Sequence, residues 1–310
     1  MTDPEAREAA ALWQATPSRL IVARENAVYE MSLSDGTRAA LRLHRTGYQD
    51  AAAIRSELWW CAELVRLGLP VPEPLALPDD THLATLSTGR HASAVRWIDG
   101  QPMGQAGHRL PQPVAEQIDL HARLGQLLRQ LHESSDRLGI RPDSFTRPRW
   151  DKDGLVGEAP VWGRFWEHPA ASYVQLSAQN AARIAVRSML TRHAAEGGDF
   201  GLIHADVLRE NVLLSGGGLS LIDFDDSGFG YRLYDLGTVL SQNQYEPARD
   251  DLRDALMAGY GTQDTEKVEL FTLARILASV GWTIPRLAPD DPIHASHLAR
   301  ADMVIRRLLG

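Results

Sequence analysis

The 310-residue chain is longer than one typical domain and carries a formal net charge of −8, which argues against general binding to nucleic acid or to anionic membranes, since both need a basic face. Its first residues lack the basic and apolar regions of a signal peptide, and no apolar run approaches the ~20 residues of a membrane span. Cys61 is the only cysteine, so we expect a buried thiol and no intramolecular disulfide. These features predict a cytoplasmic protein with no nucleic-acid or membrane partner.

The first hundred residues predict a small sheet that carries one long helix. Residues 19–44 alternate apolar and polar side chains around a turn signal at 34–36, which predicts a β-hairpin with a further short strand before it. Residues 49–67 repeat apolar side chains at helical spacing and end at Gly68, before a Pro-rich turn. Residues 73–98 return to strand-like alternation.

The remaining residues are mainly helical in pattern. Residues 98–113 are rich in Gly and Pro, which predicts a connector between two domains, 1–98 and 99–310. A long amphipathic helix follows from residue 113, and helical patterns recur at 174–196, 231–244, 248–260, 265–280 and 291–309. Between them, residues 200–223 hold short apolar runs broken by three glycines, which suits brief strands around a tight turn. The fold class is therefore α+β, with a β-rich N-terminal lobe and a helical C-terminal lobe.

Polar side chains with a chemical purpose follow the short strands of residues 200–223. The stretch HADVLREN places Asp206 and Asn211 five residues apart on a loop, and Asp223 ends the next apolar run, LSLID. A small hairpin can bring the three side chains together, and carboxylate and amide oxygens suit a hard cation such as Mg²⁺. Phosphoryl transfer requires these groups: one carboxylate receives the hydroxyl proton, and an Asn and a second Asp hold the metal.

This region resembles a known family. Residues 200–240 are similar to the catalytic and metal-binding segments of the aminoglycoside phosphotransferase and choline kinase superfamily, which has the protein-kinase-like fold. The motifs REN-VYE, LRLHR, I-RSEL and LGLPVPEPL follow in the family's order, so that the similarity spans roughly residues 20–307. The resemblance implies a two-lobed kinase that uses ATP and Mg²⁺ to phosphorylate a hydroxyl group.

The resemblance also implies a role for each matching residue of the loop and its surroundings. Asp206 matches the catalytic base that orients the acceptor hydroxyl, and Asn211 and Asp223 match the metal ligands. His204 matches a residue that stabilises the loop, and Asp235 one that braces it.

The cation that grips the α- and β-phosphates departs from the family's commonest pattern. The strand position usually held by Lys is Arg42, and Glu57 on the long helix matches its acidic partner. Lys152 and Lys267 are the only lysines of the chain, so no neighbouring Lys can substitute. Arg clamps phosphate bidentately but differs in geometry from an ammonium group. An ordinary solvated strand Arg is the alternative.

Other parts of the nucleotide site are implied with less support from the residues. The glycine-free turn at 24–27, which includes Asn26, is expected to approach the nucleotide through backbone amides. The backbone groups of Arg96 and Trp97, in the segment joining the lobes, are expected to meet adenine, unless this segment is merely an edge strand. Asp225 and Asp226 either face a cationic acceptor or second metal, or form solvated surface.

The acceptor is not identified by the sequence. The Trp-rich insert at 140–170 is the candidate for acceptor recognition, although Trp150, Trp162 and Trp166 can instead pack it onto the helical lobe. The leading hypothesis is a monomeric or homodimeric kinase for a small molecule: an aminoglycoside, a choline-like amino alcohol, a sugar, or a hydroxy amino acid such as homoserine. The alternatives are a protein Ser/Thr kinase of the bacterial stress-kinase type, a nucleotide-binding module without turnover, and a metal-dependent hydrolase.

Overall fold

The computed structural model describes residues 3–23, 26–138 and 141–310. The chain divides into two compact units, each assembled from three stretches of sequence. The first, the sheet unit, comprises Met1–Gln101, Arg137–Arg147 and Leu213–Asp225. The second, the helical unit, comprises Pro102–Asp136, Pro148–Val212 and Asp226–Gly310. The predicted α+β class is confirmed, with an antiparallel sheet in the first unit and mainly helices in the second.

The helices and strands of the described residues are as follows, in chain order: α1 (Pro4–Leu12), β1 (Ala15–Ala23), β2 (Ala27–Leu33), β3 (Arg38–Leu43), α2 (Ala51–Arg66), β4 (Ala84–Thr85), β5 (His91–Arg96), β6 (Gln101–Pro102), α3 (Val114–Asp136), β7 (Arg149–Trp150), α4 (Lys152–Val156), α5 (Tyr173–Ala195), β8 (Phe200–Ile203), β9 (Val212–Ser215), β10 (Gly218–Leu221), β11 (Gly228–Tyr231), α6 (Leu233–Ser241), α7 (Arg249–Tyr260), α8 (Thr265–Thr283) and α9 (Pro292–Leu309). Single 3₁₀ turns occur at Phe165–Glu167 and Arg209–Asn211.

A five-stranded antiparallel sheet organises the sheet unit, in the order β1-β2-β3-β5-β4. The predicted hairpin is β2–β3, and Gly36 supplies the left-handed conformation of its turn, with φ of 86°. Ala39, Leu41 and Leu43 of β3 are fully buried. Because side chains alternate across a strand, Arg42 lies on the opposite face of the sheet. The core side is also covered by α1, a helix that the sequence analysis did not predict.

The helix α2 places a carboxylate among apolar side chains. It begins at Asp50, whose side chain accepts a hydrogen bond from the Ala53 N–H at 2.8 Å, as an N-cap does. Its buried face holds Ile54, Glu57, Leu58, Cys61 and Leu64. The expected burial of Cys61 is confirmed, and that burial raises the pKa of the thiol. Glu57 is only 3% exposed, so its charge needs a partner.

The helical unit forms around a large apolar core to which the Trp-rich insert contributes. Trp150 and Trp162 are 0% and 4% exposed, and their rings meet edge to face at 4.9 Å. Trp150 also donates from Nε1 to the backbone carbonyl of Asp226 at 2.9 Å. Residues 148–170 of the insert thus pack within the helical unit through these two rings, which is the packing alternative of the sequence analysis, whereas residues 141–147 belong to the sheet unit. All six helical patterns predicted after residue 113 correspond to helices, with ends shifted by a few residues.

The structure differs from the sequence prediction in residues 73–90. Strand-like alternation there predicts continuous strand, but only β4 forms, with an isolated bridge between Pro74 and Val95. Pro72, Pro74 and Pro78 explain the difference, because proline cannot donate to a strand ladder. Within the described ranges, no helix combines the length and the apolar character needed to cross a membrane.

Candidate active site

The loop of residues 204–211 leaves β8 through a strained residue. Ala205 has φ of 65°, a left-handed conformation that costs a non-glycine residue roughly 1–2 kcal/mol. Asp235 on α6 offsets this strain: its Oδ1 accepts from the Ala205 N–H at 2.7 Å and its Oδ2 from the His204 N–H at 2.9 Å. The residue that follows, Asp206, is therefore presented from a fixed backbone.

Asp235 is itself held in the core of the helical unit. The carboxylate is 0% exposed, and His132 Nε2 lies 3.0 Å from its Oδ2. The other ring nitrogen of His132 contacts the Tyr260 hydroxyl at 3.0 Å. His204 is also fully buried, and its Nδ1 accepts from the Asp206 N–H at 3.3 Å. This arrangement has the geometry that the expected bracing roles of Asp235 and His204 require.

Asp206 and Asn211 lie together in the helical unit. Asn211 Nδ2 donates to the backbone carbonyl of Asp206 at 2.9 Å and to its carboxylate Oδ2 at 3.1 Å. These bonds orient the amide so that its nitrogen faces Asp206, which leaves the Asn211 Oδ1 as the group available to a ligand. An oxygen at this position is what a role in metal binding requires.

Arg275 on α8 is a neighbour of Asp206 that the sequence analysis missed. Its Nη2 donates to Asp206 Oδ1 at 2.7 Å, and its Nη1 to Ser279 Oγ at 2.5 Å. The guanidinium also lies 4.6 Å from the centre of the Trp162 ring, a cation–π contact. The sequence does contain a sign of this contact: Arg275 is the single arginine in the apolar pattern LFTLARILASV, and a charged side chain is rarely buried without a partner.

A buried ion pair fixes the turn that carries Asn211. Arg209 is 2% exposed and donates from Nη2 to Glu246 at 2.7 Å and to Asn243 at 2.8 Å. Its backbone N–H donates to Gln242 Oε1 at 2.7 Å. The turn Arg209–Asn211 is therefore anchored to the residues that follow α6.

In the sheet unit, Arg42 is surrounded by carboxylates. Its Nη1 lies 2.7 Å from Glu57 Oε1 and 3.8 Å from Asp225 Oδ1, and its Nη2 lies 3.4 Å from Asp223 Oδ1. Burial opposes the charge on Arg42, but the three carboxylates outweigh it and raise the pKa of the guanidinium. The structure thus brings together Arg42, Glu57 and Asp223, and it excludes the alternative of a solvated strand arginine.

Asp223 follows β10 in a second strained backbone conformation, with φ of 65°. Its side chain is 50% exposed. Arg147, another residue that the sequence analysis missed, holds the segment after it: Nη2 donates to the carbonyls of Phe224 at 3.1 Å and Asp225 at 2.5 Å, while Nη1 donates to Ala53 at 2.9 Å. A fully buried guanidinium thus ties the Asp223 segment to α2.

The remaining expected nucleotide ligands have structural contacts of their own. Asn26 donates to Asp225 Oδ2 at 3.1 Å and accepts from the Arg45 N–H at 2.9 Å, whereas residues 24 and 25 of the same turn lie outside the described residues. The N–H groups of Arg96 and Trp97 donate to the carbonyls of Glu73 and Arg38 at 2.8 and 3.0 Å. Adenine binding by these backbone groups stays a prediction. Asp225 is 7% exposed and is not solvated surface.

The donor groups present suit a magnesium ion. Three carboxylates lie around Arg42 in the sheet unit, and one of them, Glu57, also lies 4.0 Å from Arg147, so this cluster keeps an excess of negative charge. Among the described residues, Asp225 Oδ1 is buried without a hydrogen bond. Asn211 and Asp223 belong to different units, and their convergence on one ion stays a prediction. In the described part of the chain, no three His, Cys, Asp or Glu side chains group as a metal site by themselves.

Comparison with known proteins identifies the class of protein. Residues 19–271 match the phosphotransferase enzyme family, abbreviated APH, and the chain belongs to this family. The resemblance drawn from the motifs is thus confirmed. The solved relatives described next confirm the protein-kinase-like fold.

Particular relatives are kinases for small molecules. A homoserine kinase of Chelativorans sp. (strain BNC1) is 27% identical over 235 residues, which cover 72% of this chain and 65% of the relative. The structure of a microcompartment-associated aminopropanol kinase is 25% identical with a TM-score of 0.82, over 97% of this chain and 94% of that one. An amicoumacin kinase in complex with AMP-PNP and Ca²⁺ shares the fold at 16% identity, with a TM-score of 0.75 over 98% and 89% of the two chains. The chain spans less than two thirds of the length of the homoserine kinases that it matches.

Proposed function

We propose that this protein transfers the γ-phosphate of ATP to a hydroxyl group of a small molecule. The observation that carries the proposal is the position of Asp206, an oriented carboxylate on a braced loop of a chain in the phosphotransferase family. The Arg42 cluster in the sheet unit supports a phosphate-binding role for a second set of residues.

Asp206 acts on the acceptor hydroxyl. Its two oxygens accept one hydrogen bond each from Arg275 and Asn211, and a carboxylate has about four acceptor sites, so capacity remains for a hydroxyl proton. The acceptor oxygen attacks the γ-phosphorus, a new P–O bond forms, and the bond to the β,γ-bridging oxygen breaks. ADP leaves with that electron pair, and the hydroxyl proton passes to Asp206 and then to solvent.

Arg42 and the proposed metal ligands bind the phosphates. Arg42, held at 2.7 Å by Glu57, presents a guanidinium that suits bidentate contact with phosphate oxygens. Asn211 and Asp223 would hold Mg²⁺, which would supply positive charge to neutralise the charge that develops during transfer. The amicoumacin kinase with AMP-PNP and Ca²⁺ supports a nucleotide and a divalent cation in this fold.

The acceptor belongs to the class of small hydroxyl compounds. The homoserine kinase and the aminopropanol kinase support this class, because homoserine and aminopropanol are small compounds that carry both an amine and a hydroxyl group. The alternative functions are transfer to protein hydroxyls and nucleotide binding without turnover. The experiment below distinguishes them from the proposed function.

The test is ADP release over a panel of acceptors, with the phosphorylated product identified by its added mass. We expect at least one amino alcohol or hydroxy amino acid to raise ADP release well above the rate without acceptor. Asp206→Asn should lower kcat by at least a thousandfold and leave ATP binding intact, while Asp290→Asn, an exposed carboxylate, should have no effect. Release that no small molecule stimulates, but that a protein substrate does, would show that the acceptor class is wrong.

A further inference from the structure

An arginine of α8 holds the carboxylate that we assign to the acceptor hydroxyl. Arg275 is 5% exposed, and its Nη2 donates to Asp206 Oδ1 at 2.7 Å. The side chain of Asp206 is 17% exposed, so part of the carboxylate stays open to solvent while a buried guanidinium binds one of its oxygens. Charge-assisted hydrogen bonds of this length are strong and directional. The contact therefore fixes the orientation of Asp206 from within the helical unit.

A second contact anchors Arg275 to its own helix. Its Nη1 donates to Ser279 Oγ at 2.5 Å, and Ser279 Oγ donates to the backbone carbonyl of Arg275 at 2.9 Å. Ser279 is 4% exposed and lies one helical turn further along α8. The two terminal nitrogens of the guanidinium thus bind different partners, one on the helix and one on the 204–211 loop. The guanidinium cannot rotate away from Asp206 without also leaving Ser279.

The third contact of Arg275 comes from the Trp-rich insert. The guanidinium carbon lies 4.6 Å from the centre of the Trp162 ring, within the range of a cation–π contact. The insert approaches α8 closely at this point, because a Cβ atom at Gly281 would lie 2.5 Å from the carbonyl oxygen of Gly163. Trp162 is 4% exposed, so its ring has little freedom to move. The insert therefore supports the guanidinium through a ring whose position is fixed by close packing on α8.

Stability alone does not require a charge at residue 275. Four neighbouring residues of α8 are at most 2% exposed: Leu273, Ala274, Ile276 and Leu277. Burial opposes a charged side chain, and a well-packed apolar side chain in place of a buried ion pair is often equally stable or more so. What an apolar side chain could not provide at this position is the bond to Asp206. The presence of a guanidinium in this apolar part of the helix is thus explained by its partner.

We propose that Arg275 is a positioning residue for phosphate transfer, which holds Asp206 in the orientation that meets the acceptor hydroxyl, and that Trp162 of the insert holds Arg275 in turn. This proposal rests on the proposed function and adds two residues that act on the reaction only through Asp206. A guanidinium stays protonated, so Arg275 takes no part in the proton transfer itself. The insert then contributes to the rate of transfer through its packing on α8.

Steady-state kinetics with the best acceptor of the panel test the positioning role. Arg275→Met removes the charge and keeps a long side chain, so kcat should fall about 100-fold, the loss expected when a reacting group is displaced by about 1 Å. The KM of ATP should change by less than about twofold, since Arg275 does not bind the nucleotide. Arg275→Lys keeps a charge that can reach Asp206 and should recover most of kcat. A KM of ATP that rises strongly in Arg275→Met would show that Arg275 serves the phosphates, and it would overturn the proposal.

The matched control is Arg183→Met, the same substitution at a second arginine of the helical unit. The Arg183 guanidinium lies 3.7 Å from the centre of the Trp166 ring and 2.6 Å from Glu158, so it makes the contacts of Arg275 with a different tryptophan and a different carboxylate. Arg183→Met should leave kcat within about twofold of the wild type. An equal loss of kcat in both variants would show that kcat follows the general loss of packing, and the positioning role would be wrong.

Trp162 offers a variant in which the ion pair stays in place. Trp162→Leu removes the ring next to the guanidinium and should lower kcat about three- to tenfold, whereas Trp162→Phe keeps an aromatic face and should lose less. Equal kcat in Trp162→Leu and the wild type would show that the insert does not act through Arg275. Circular dichroism of each variant confirms that the fold is retained. If Arg275→Met does not fold, Arg275→Lys and the two Trp162 variants decide the proposal.

A double mutant distinguishes positioning from direct action on the transferring phosphate. In Asp206→Ala, Arg275 has no carboxylate to hold. Adding Arg275→Met to this variant should therefore lower the remaining single-turnover rate by less than about twofold, because residues that act as a unit are not additive. A second large loss of rate in the double mutant would show that Arg275 acts on the reacting groups themselves, and the positioning role would be refuted.

The unfolding temperatures of the same variants decide the case in which no acceptor reacts, an outcome that would itself overturn the proposed function. Asp206→Ala leaves Arg275 as a buried charge without its carboxylate, so Arg275→Met should raise the unfolding temperature in that background and lower it in the wild type. This change of sign supports the contact between the two residues. The same shift in both backgrounds would show that Arg275 does not hold Asp206.

Discussion

Replacing Asp235 with Asn should uncouple the 204–211 loop from the core. The carboxylate accepts three hydrogen bonds: from the Ala205 N–H at 2.7 Å, from the His204 N–H at 2.9 Å, and at 3.0 Å from His132. An amide has only one oxygen. However it is turned, at least one of these donors then faces an NH₂ group instead of an acceptor.

The expected energy follows from the burial of these groups. One buried donor left unsatisfied costs about 1–3 kcal/mol, and the two remaining bonds lose their charge assistance, so we expect a total loss of roughly 2–4 kcal/mol. The left-handed Ala205 adds to the effect, because about 1–2 kcal/mol of strain then favours leaving the native loop conformation. Destabilising the loop by about 3 kcal/mol lowers the ratio of its active conformation to its other conformations roughly 150-fold.

Two measurements test this prediction. The midpoint of thermal unfolding of Asp235→Asn should be lower than that of the wild type by about 6–12 °C, since 1 kcal/mol corresponds to about 2–4 °C for a unit of this size. Steady-state kinetics should show kcat lower by about two orders of magnitude, with a much smaller change in the KM of ATP. Asp290→Asn, an exposed and isosteric change, should match the wild type in both. If Asp235→Asn unfolds within 1 °C of the wild type and keeps kcat within twofold, Asp235 does not brace the loop.

Two further predictions concern charge. Arg42→Lys keeps the positive charge, but a single ammonium group cannot reach both Glu57 and Asp223. The KM of ATP should therefore rise about three- to tenfold. An unchanged KM of ATP would show that ATP binding does not use the width of the guanidinium group. Burial is the main cause, and the charge of Arg42 the second, of a pKa of His44 that is lowered from 6.5 to about 3. Below about pH 6.5, His44 therefore binds a proton in the unfolded chain but not in the folded one. The free energy of unfolding should therefore fall with decreasing pH, by up to about 1.4 kcal/mol per unit, and His44→Gln should flatten this dependence in urea titrations at pH 6.5 and 5. Equal slopes in both proteins would contradict the assignment to His44.

The repeating patterns of the sequence predicted most of the fold. The hairpin β2–β3, the helix α2 and the later helices each have apolar side chains at the spacing of their element, and this spacing is what packing against a core selects. The helix α1 was missed because its buried residues are alanines, which give a weak apolar signal. Asp3 as N-cap and Pro4 at the first helical position were the signs that could have identified it.

The polar part of the site was predicted only where side chains lie close to one another in the sequence. Asp206 and Asn211 are five residues apart on one loop, and a local motif reveals them. Arg147 and Arg275 act through contacts with residues 69 to 94 positions away, such as Asp206 for Arg275 and the Ala53 carbonyl for Arg147. Periodicity contains no information about such pairs: the apolar run around Arg275 indicates that its charge is buried, but not which residue it contacts.

The two units hold a carboxylate of the proposed site in the same way. In each, a non-glycine residue has φ of 65°: Ala205 just before Asp206 in the helical unit, and Asp223 itself in the sheet unit. In each, a buried charged side chain binds the adjoining backbone, Asp235 through N–H groups and Arg147 through carbonyls. A left-handed residue persists only where its surroundings over-determine it. The backbone strain and the buried charges are therefore one feature, and we infer that both serve to hold a carboxylate in a single orientation.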